Sequence, residues 1–213
     1  MLHLYKTMKT SGEHEIVISK SRFIGHVARA ETEEAAIEFI QTIKKKHWNA
    51  THNCSCYLIG ENDQIQKAQD DGEPSGTAGV PMLDVLKKKQ LKDTVVVVTR
   101  YFGGIKLGAG GLVRAYSKAT SEAIEAIGVV TRQLMRVMHV TVEYTWLGKI
   151  ENELRSSIYD IKQINYLDTV EFEVYVDELE KNTFTEWVIE LTNAQAKISE
   201  GELLYLEKDF VSE

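Results

Sequence analysis

Residues 94–116 read TVVVVTRYFGGIKLGAGGLVRAY, and the fold turns on them. The run 94–99 is continuously β-branched or apolar, the pattern of a strand buried on both faces. Five glycines follow: Gly103, Gly104, Gly108, Gly110 and Gly111. Then Leu112, Tyr116, Ala119, Ala123 and Ile127 recur at helical spacing, with Arg114, Lys118, Glu122 and Glu125 on the opposite face. Gly128 supplies a helix stop. A strand, a glycine-rich turn and a helix are therefore expected in succession. Such a turn can cradle a phosphate, with Lys106, Arg100 or Arg114 adding charge, or it can serve close packing and positive φ. No Gly-Lys-Ser/Thr makes it a Walker loop, and the glycine spacing does not spell GxGxxG. Both readings stand.

Upstream, strands are expected over 15–20 and 22–30. Thr32 is placed to cap a helix with Glu33 and Glu34 in its first turn and Ala36, Ile37, Ile40 and Ile43 on one face. That helix should end at Lys44-Lys45-Lys46-His47. Strands over 54–59 and 64–69 flank the polar turn GEND. DDGEPSGTAGVP, residues 70–81, then gathers both prolines and leads into a helix over about 79–89. From Gln133 the pattern restarts as strand, helix with Leu147, Ile150 and Leu154, strand over 160–166, strand over 170–176, helix with Phe184, Trp187, Val188 and Leu191, and strand over 198–206. This β-α-β-β-α-β order is that of a ferredoxin-like unit. The fold class expected is α+β in two domains, 1–130 and 131–213.

Charge divides at the same place. Residues 1–130 hold 17 Lys+Arg against 15 Asp+Glu, whereas 131–213 hold 8 against 17, within a net charge of −7. An acidic total disfavours indiscriminate binding to nucleic acid, because that affinity comes from phosphate neutralisation, but it leaves room for a local basic face in the first domain. Cys54 and Cys56 are the only cysteines. Two cysteines at i, i+2 on a strand are poorly placed to bridge each other, so free thiols in a reducing compartment are expected. No run approaches the ~18 apolar residues of a membrane span, and the first residues lack a signal-peptide core. A cytoplasmic location with no membrane partner follows as the expectation.

Two segments carry candidate chemistry, 70–79 and 100–114, each where a strand gives way to a helix whose N-terminus can hold an anion. Asp70, Asp71 and Glu73 are numerous enough for a hard cation or acid–base work, but in a loop rich in turn formers they serve equally as caps. No nucleophile and base pair is evident, so no catalytic residue is assigned and an enzyme is the less favoured reading. His52, Cys54 and Cys56 would share a strand face, yet three ligands without a CxxC make a weak zinc signal. Neither a metal nor a cofactor is expected. Lys44-Lys45-Lys46-His47 with Trp48, and Lys87-Lys88-Lys89, keep nucleic acid in play or simply complement helix dipoles.

DDGEPSGTAGVPML, followed after a spacer by VVVVTRYFGGIKLGAGGLVRAY, resembles the signature of the IMPACT family in its bacterial YigZ/YvyE-type form. The resemblance covers the first domain, and residues from about 133 are similar to the domain that follows it in bacterial members. It implies a first domain like the second domain of ribosomal protein S5, and a second like the ferredoxin-like C-terminal domains of elongation factor G. It also implies a cytosolic protein linked to translation or its regulation, with RNA or the ribosome as partner; a phosphate-containing ligand is the reading of the glycine-rich helix start itself. The binding residues placed on these motifs are Asp70, Asp71, Glu73, Ser75, Thr77, Arg100, Tyr101, Phe102, Gly103, Gly104, Lys106, Gly108, Gly110, Gly111 and Arg114. A small-molecule phosphate-binding enzyme and a protein-interaction module with architectural glycines are the alternatives. The two loops are expected to form one surface with Arg100 and Arg114 at its rim.

Overall fold

A computed structural model describes residues 2–210; Met1 and 211–213, at the ends of the two expected domains, lie outside them. The chain is α+β and forms two compact units, one up to Thr131 and again from Lys208, the other Arg132–Glu207.

The first unit holds β1 (Leu4–Met8), β2 (Gly12–Ile18), β3 (Ser21–Arg29), α1 (Glu33–Lys46), β4 (His52–Ile59), β5 (Ile65–Gln69), α2 (Gly79–Lys88), β6 (Thr94–Tyr101) and α3 (Gly108–Ile127). Its sheet runs β2-β3-β6-β4-β5, and every pair is antiparallel. The valine run lies in central β6. Val95 and Val97 point to the face covered by Ala36, Ile40 and Ile43 of α1. Val96 and Val98 point to the face covered by α2 and α3, among Met82, Leu86, Leu112, Tyr116 and Ala119. A run of this kind is typical of parallel sheets; here helices cover both faces of an antiparallel one. Each buried valine contributes about 1.5–3 kcal/mol by leaving water.

The caps follow the sequence. The Thr32 hydroxyl accepts from the Ala35 N–H at 3.2 Å, and Lys44, Lys45 and Lys46 occupy the last turn of α1. One expected strand is too long. Ser19 and Lys20 take φ of 48° and 64° and close the β2/β3 hairpin, in which Ile18 pairs with Ser21. That is the two-residue turn with positive φ at both positions, and without its usual Asn-Gly it leaves little trace in sequence. Strand β1, unforeseen, is tied in by the Lys92 N–H, which donates to the Lys6 carbonyl at 2.8 Å.

In the second unit, β7 (Val129–Val142, from Arg132 onward), α4 (Leu147–Ser156), β8 (Asp160–Tyr166), β9 (Val170–Asp177), α5 (Lys181–Thr192) and β10 (Lys197–Asp209, up to Glu207) give the lateral order β10-β7-β9-β8. This is the split βαβ arrangement. Val140, Phe172 and Val174 meet Ile150 and Leu154 of α4 and Phe184 and Val188 of α5 in its core. No helix among the described residues is long and apolar enough to cross a membrane.

Candidate functional site

Side chains alternate along β6, so Arg100 continues the direction of Val96 and Val98 and emerges on the α2/α3 face just beyond the apolar core. Its sheet neighbours are Phe23 of β3 and His52 of β4. Two loops close over it. The 70–78 loop before α2 brings Glu73, and the 102–107 loop before α3 brings Phe102 and Lys106. Together with Pro74, Leu107, Gly108, Ala109 and Leu112 they line a cavity of about 300 Å³. The two sequence-distant motifs thus meet at one place.

Arg100 is not at the rim. It is only 5% exposed and Glu73 8%, and Nη1 donates to Glu73 Oε1 at 2.6 Å. The Tyr116 hydroxyl from α3 donates to the same oxygen at 2.8 Å. His52 Nε2 stands 3.8 Å from the other carboxylate oxygen. The guanidinium also lies 5.3 Å from the Phe23 ring centre and 5.6 Å from that of Phe102. This ion pair ties the 70–78 loop to the sheet, and the Phe102 ring of the other loop lies against its cation. Burial pushes the Tyr116 hydroxyl far above its ordinary pKa, so it stays a donor.

The other two carboxylates are committed as well. Asp70 accepts from the N–H groups of Gly76 at 2.8 Å, Ala78 at 3.0 Å and Gly79 at 2.8 Å, capping α2. Burial opposes its ionisation, but these donors outweigh it and hold the carboxyl below its ordinary value. Asp71, with φ of 46°, accepts from the Asn53 N–H at 2.7 Å and from Lys44 Nζ at 2.6 Å. Burial opposes it too, and these partners again leave its carboxyl lowered. The acidic loop is therefore held together by its own carboxylates. Thr77 is buried and donates to the Pro74 carbonyl at 2.6 Å, while Ser75 is exposed.

The glycines separate by role. A Cβ on Gly103 would lie 2.0 Å from the backbone carbon and oxygen of Lys20, whereas one on Gly110 would meet only Arg114 Nη1 at 3.8 Å. Gly104 and Gly108 have φ of 85° and 69°, and a Cβ on Gly111 would come within 3.0 Å of Leu107 Cβ. Tyr101 points to the other face of the sheet, where its hydroxyl is 2.9 Å from His47 Nδ1. Lys106 and Arg114 are exposed. The first turn of α3 has neither a side-chain cap nor an acidic residue, so its N–H groups and dipole are open to an anion. Sequence reasoning missed Tyr116 and Ser21 as site residues. Ser21 Oγ accepts from the Gly103 N–H at 3.2 Å, a contact visible only once the hairpin is in place.

His52, Cys54 and Cys56 do not converge on one point. His52 Nδ1 lies 2.9 Å from the Asp71 carbonyl, and Cys54 Sγ donates to the Asp70 carbonyl at 2.9 Å. Both thiols are free and buried. Burial pushes the Cys54 thiol up to about 12 and Cys56 higher still. The native chain is accordingly expected to release no colour with an aromatic disulfide reagent at pH 8, and two equivalents per chain once guanidinium is added. Fast reaction of a native thiol would contradict this burial.

The sequence profile of the Impact N-terminal domain matches residues 19–124, which span both loops of the cavity, and that of a domain of unknown function, DUF1949, matches residues 140–195. The IMPACT family member YvyE of Bacillus subtilis is 69% identical over 98% of this chain and 96% of its own. The IMPACT family member YigZ of Escherichia coli is 38% identical over 63% of this chain and 67% of its own. A crystal structure described as that of a hypothetical protein superposes with a TM-score of 0.61 at 28% identity, covering 95% of this chain and 99% of that one. With the N-terminal signature lying over both loops and the likeness to YvyE running nearly end to end, this chain belongs to the IMPACT family.

Proposed function

We propose that this chain is a cytosolic, translation-linked regulatory protein that binds RNA, free or in the ribosome, by holding backbone phosphates at the start of α3. The observation that carries the reading is an uncapped, acid-free helix start flanked by two cations, Lys106 and Arg114, for which the described residues offer no ion-pair partner. Helix N-termini of this kind suit phosphate. An aromatic face adjoins them: Phe102, 48% exposed, lines the same cavity as Lys106. Exposed rings beside cations are what single-stranded nucleic acid stacks on.

The test is fluorescence anisotropy with a labelled single-stranded RNA across 50–200 mM salt. Lys106→Ala and Arg114→Ala are each expected to weaken binding and to flatten the log–log salt slope by about 0.7, the share of one phosphate on a single strand. Their urea midpoints should stay at the wild-type value. Absence of RNA binding at low salt, together with failure to co-sediment with ribosomes, would sink the reading. The cavity of about 300 Å³ supports a second one, a small phosphorylated ligand at the same helix start, since cavities of this size take such molecules. Saturable thermal stabilisation by a sugar phosphate or nucleotide, with no effect of RNA, would favour it.

A further inference from the structure

On the opposite face of the same sheet a second constellation stands apart from both loops. The β2/β3 register sets Glu13 directly across from His26, and the C-cap residue of α1, His47, brings its ring centre within 5.0 Å of that of His26. A ligating atom from each of Glu13, His26 and His47 lies within 4.8 Å of the other two.

Hydrogen accounting shows what these atoms offer. The Thr99 hydroxyl donates its one hydrogen to Asn53 Oδ1 at 2.7 Å, so toward His26 Nε2, 3.3 Å away, it can only accept. In the neutral ring the proton then sits on Nε2 and Nδ1 is a lone pair. That lone pair faces Glu13 Oε2 at 3.2 Å, acceptor against acceptor. At His47 the Tyr101 hydroxyl sits 2.9 Å from Nδ1; in the tautomer that carries its proton on Nδ1, this hydroxyl accepts from it and turns its own hydrogen toward Asn49 Oδ1, 3.4 Å away. Nε2 of His47 is then the bare nitrogen, and it is buried without a hydrogen-bond partner among the described residues. An orphaned buried acceptor of this kind calls for a missing partner. Two imidazole lone pairs and a carboxylate converge, and the cation beside them, Lys46, donates to Glu13 Oε2 at 2.7 Å from a half-exposed side chain that can swing into solvent.

We propose that Glu13, His26 and His47 form a binding site for a divalent transition-metal ion of the zinc type, held by the Glu13 carboxylate, Nδ1 of His26 and Nε2 of His47. Two imidazoles with one carboxylate suit Zn²⁺, Co²⁺ or Ni²⁺, whereas Mg²⁺ and Ca²⁺ prefer oxygen alone. Thr99 and Tyr101 occupy the outer positions that fix ring tautomer and orientation in such sites. Three protein ligands leave a coordination position for water or another ligand. The site does not depend on the RNA reading, which concerns the other face.

The experiment uses the full, tag-free, metal-stripped chain, with Zn²⁺ followed by calorimetry and Co²⁺ by its visible absorption. One ion per chain is expected, with the intense visible bands of low-coordinate Co²⁺. Glu13→Gln and His47→Gln should each weaken Zn²⁺ binding more than tenfold. Tyr101→Phe, a positioning change, should cost about tenfold, the lower end of outer-shell effects. His139→Gln serves as control, because His139, Glu171 and Glu173 form the other compact His/carboxylate group among the described residues, and it should leave affinity unchanged. The proposal is overturned if the wild type binds neither ion, if binding survives in both Glu13→Gln and His47→Gln, or if only His139→Gln abolishes it. Should His47→Gln fail to fold by circular dichroism, Glu13→Gln decides, since the Glu13 side chain is exposed.

Discussion

Glu73→Gln is expected to destabilise the first unit by about 3–5 kcal/mol, the cost of leaving one member of a buried ion pair without its partner. The number rests on where Arg100 finds itself. Nη1 donates to Glu73 at 2.6 Å, Nη2 reaches Ser21 Oγ at only 3.4 Å, and Nε is buried with no partner among the described residues. Without the carboxylate charge, the guanidinium keeps the rings of Phe23 and Phe102 and a weak hydroxyl contact. Glutamine can still accept from Tyr116, so the loss is assigned to charge rather than to shape. Urea denaturation followed by circular dichroism measures it as a lower midpoint at unchanged slope. The triple change Glu73→Leu, Arg100→Met and Tyr116→Phe, which also removes the hydroxyl that donates to Glu73, should recover most of the loss, because well-packed apolar groups replace buried ion pairs at little cost. A Glu73→Gln variant as stable as the wild type would mean that the pair is hydrated and that it does not hold the 70–78 loop to the sheet.

Gly103→Ala is the second large effect, a loss of at least about 1–3 kcal/mol, the range for forcing atoms into a well-packed place. The added carbon would lie 2.0 Å from Lys20 backbone, where no flexible side chain can move aside. Lys20 is held in the positive-φ turn between Ile18 and Ser21, and Ser21 in turn accepts the Gly103 N–H. Gly110→Ala is the matched comparison. It meets open space in the first turn of α3 and is expected to be neutral or to stabilise by up to about 1 kcal/mol through helix propensity. Equal urea midpoints for the two variants would contradict the close approach at Gly103. The question raised by the glycine run thus has different answers at different positions: Gly103 is architectural, and Gly110 leaves the helix start open.

Most of the architecture was legible because it follows from period and caps. The valines of β6, the Thr32 cap, the Gly128 stop and the alternation in β9 each depend on near neighbours in the chain, so a local rule reaches them. The Ser19-Lys20 turn was not legible, since two residues in left-handed conformation are imposed by strand pairing rather than by their own preference. In the site, the two motifs were legible as motifs, and their meeting at one cavity agrees with the expected shared surface. The assignment of Arg100 to its rim was an error of burial. A charged residue at a strand end reads as exposed until the loop that carries its counter-charge, 27 positions away, is laid over it.

By itself, then, the sequence determined most of the elements, their class and their family, because hydrophobic period, capping and motif content are properties of contiguous residues. Only the tertiary structure decided which polar groups meet. Arg100 with Glu73 and Tyr116, and Glu13 with His26 and His47, are separated along the chain and joined by strand register and loop closure. A one-residue change of register would send each strand side chain to the other face. Whether a carboxylate is a cap, an ion-pair partner or a ligand is set by that geometry.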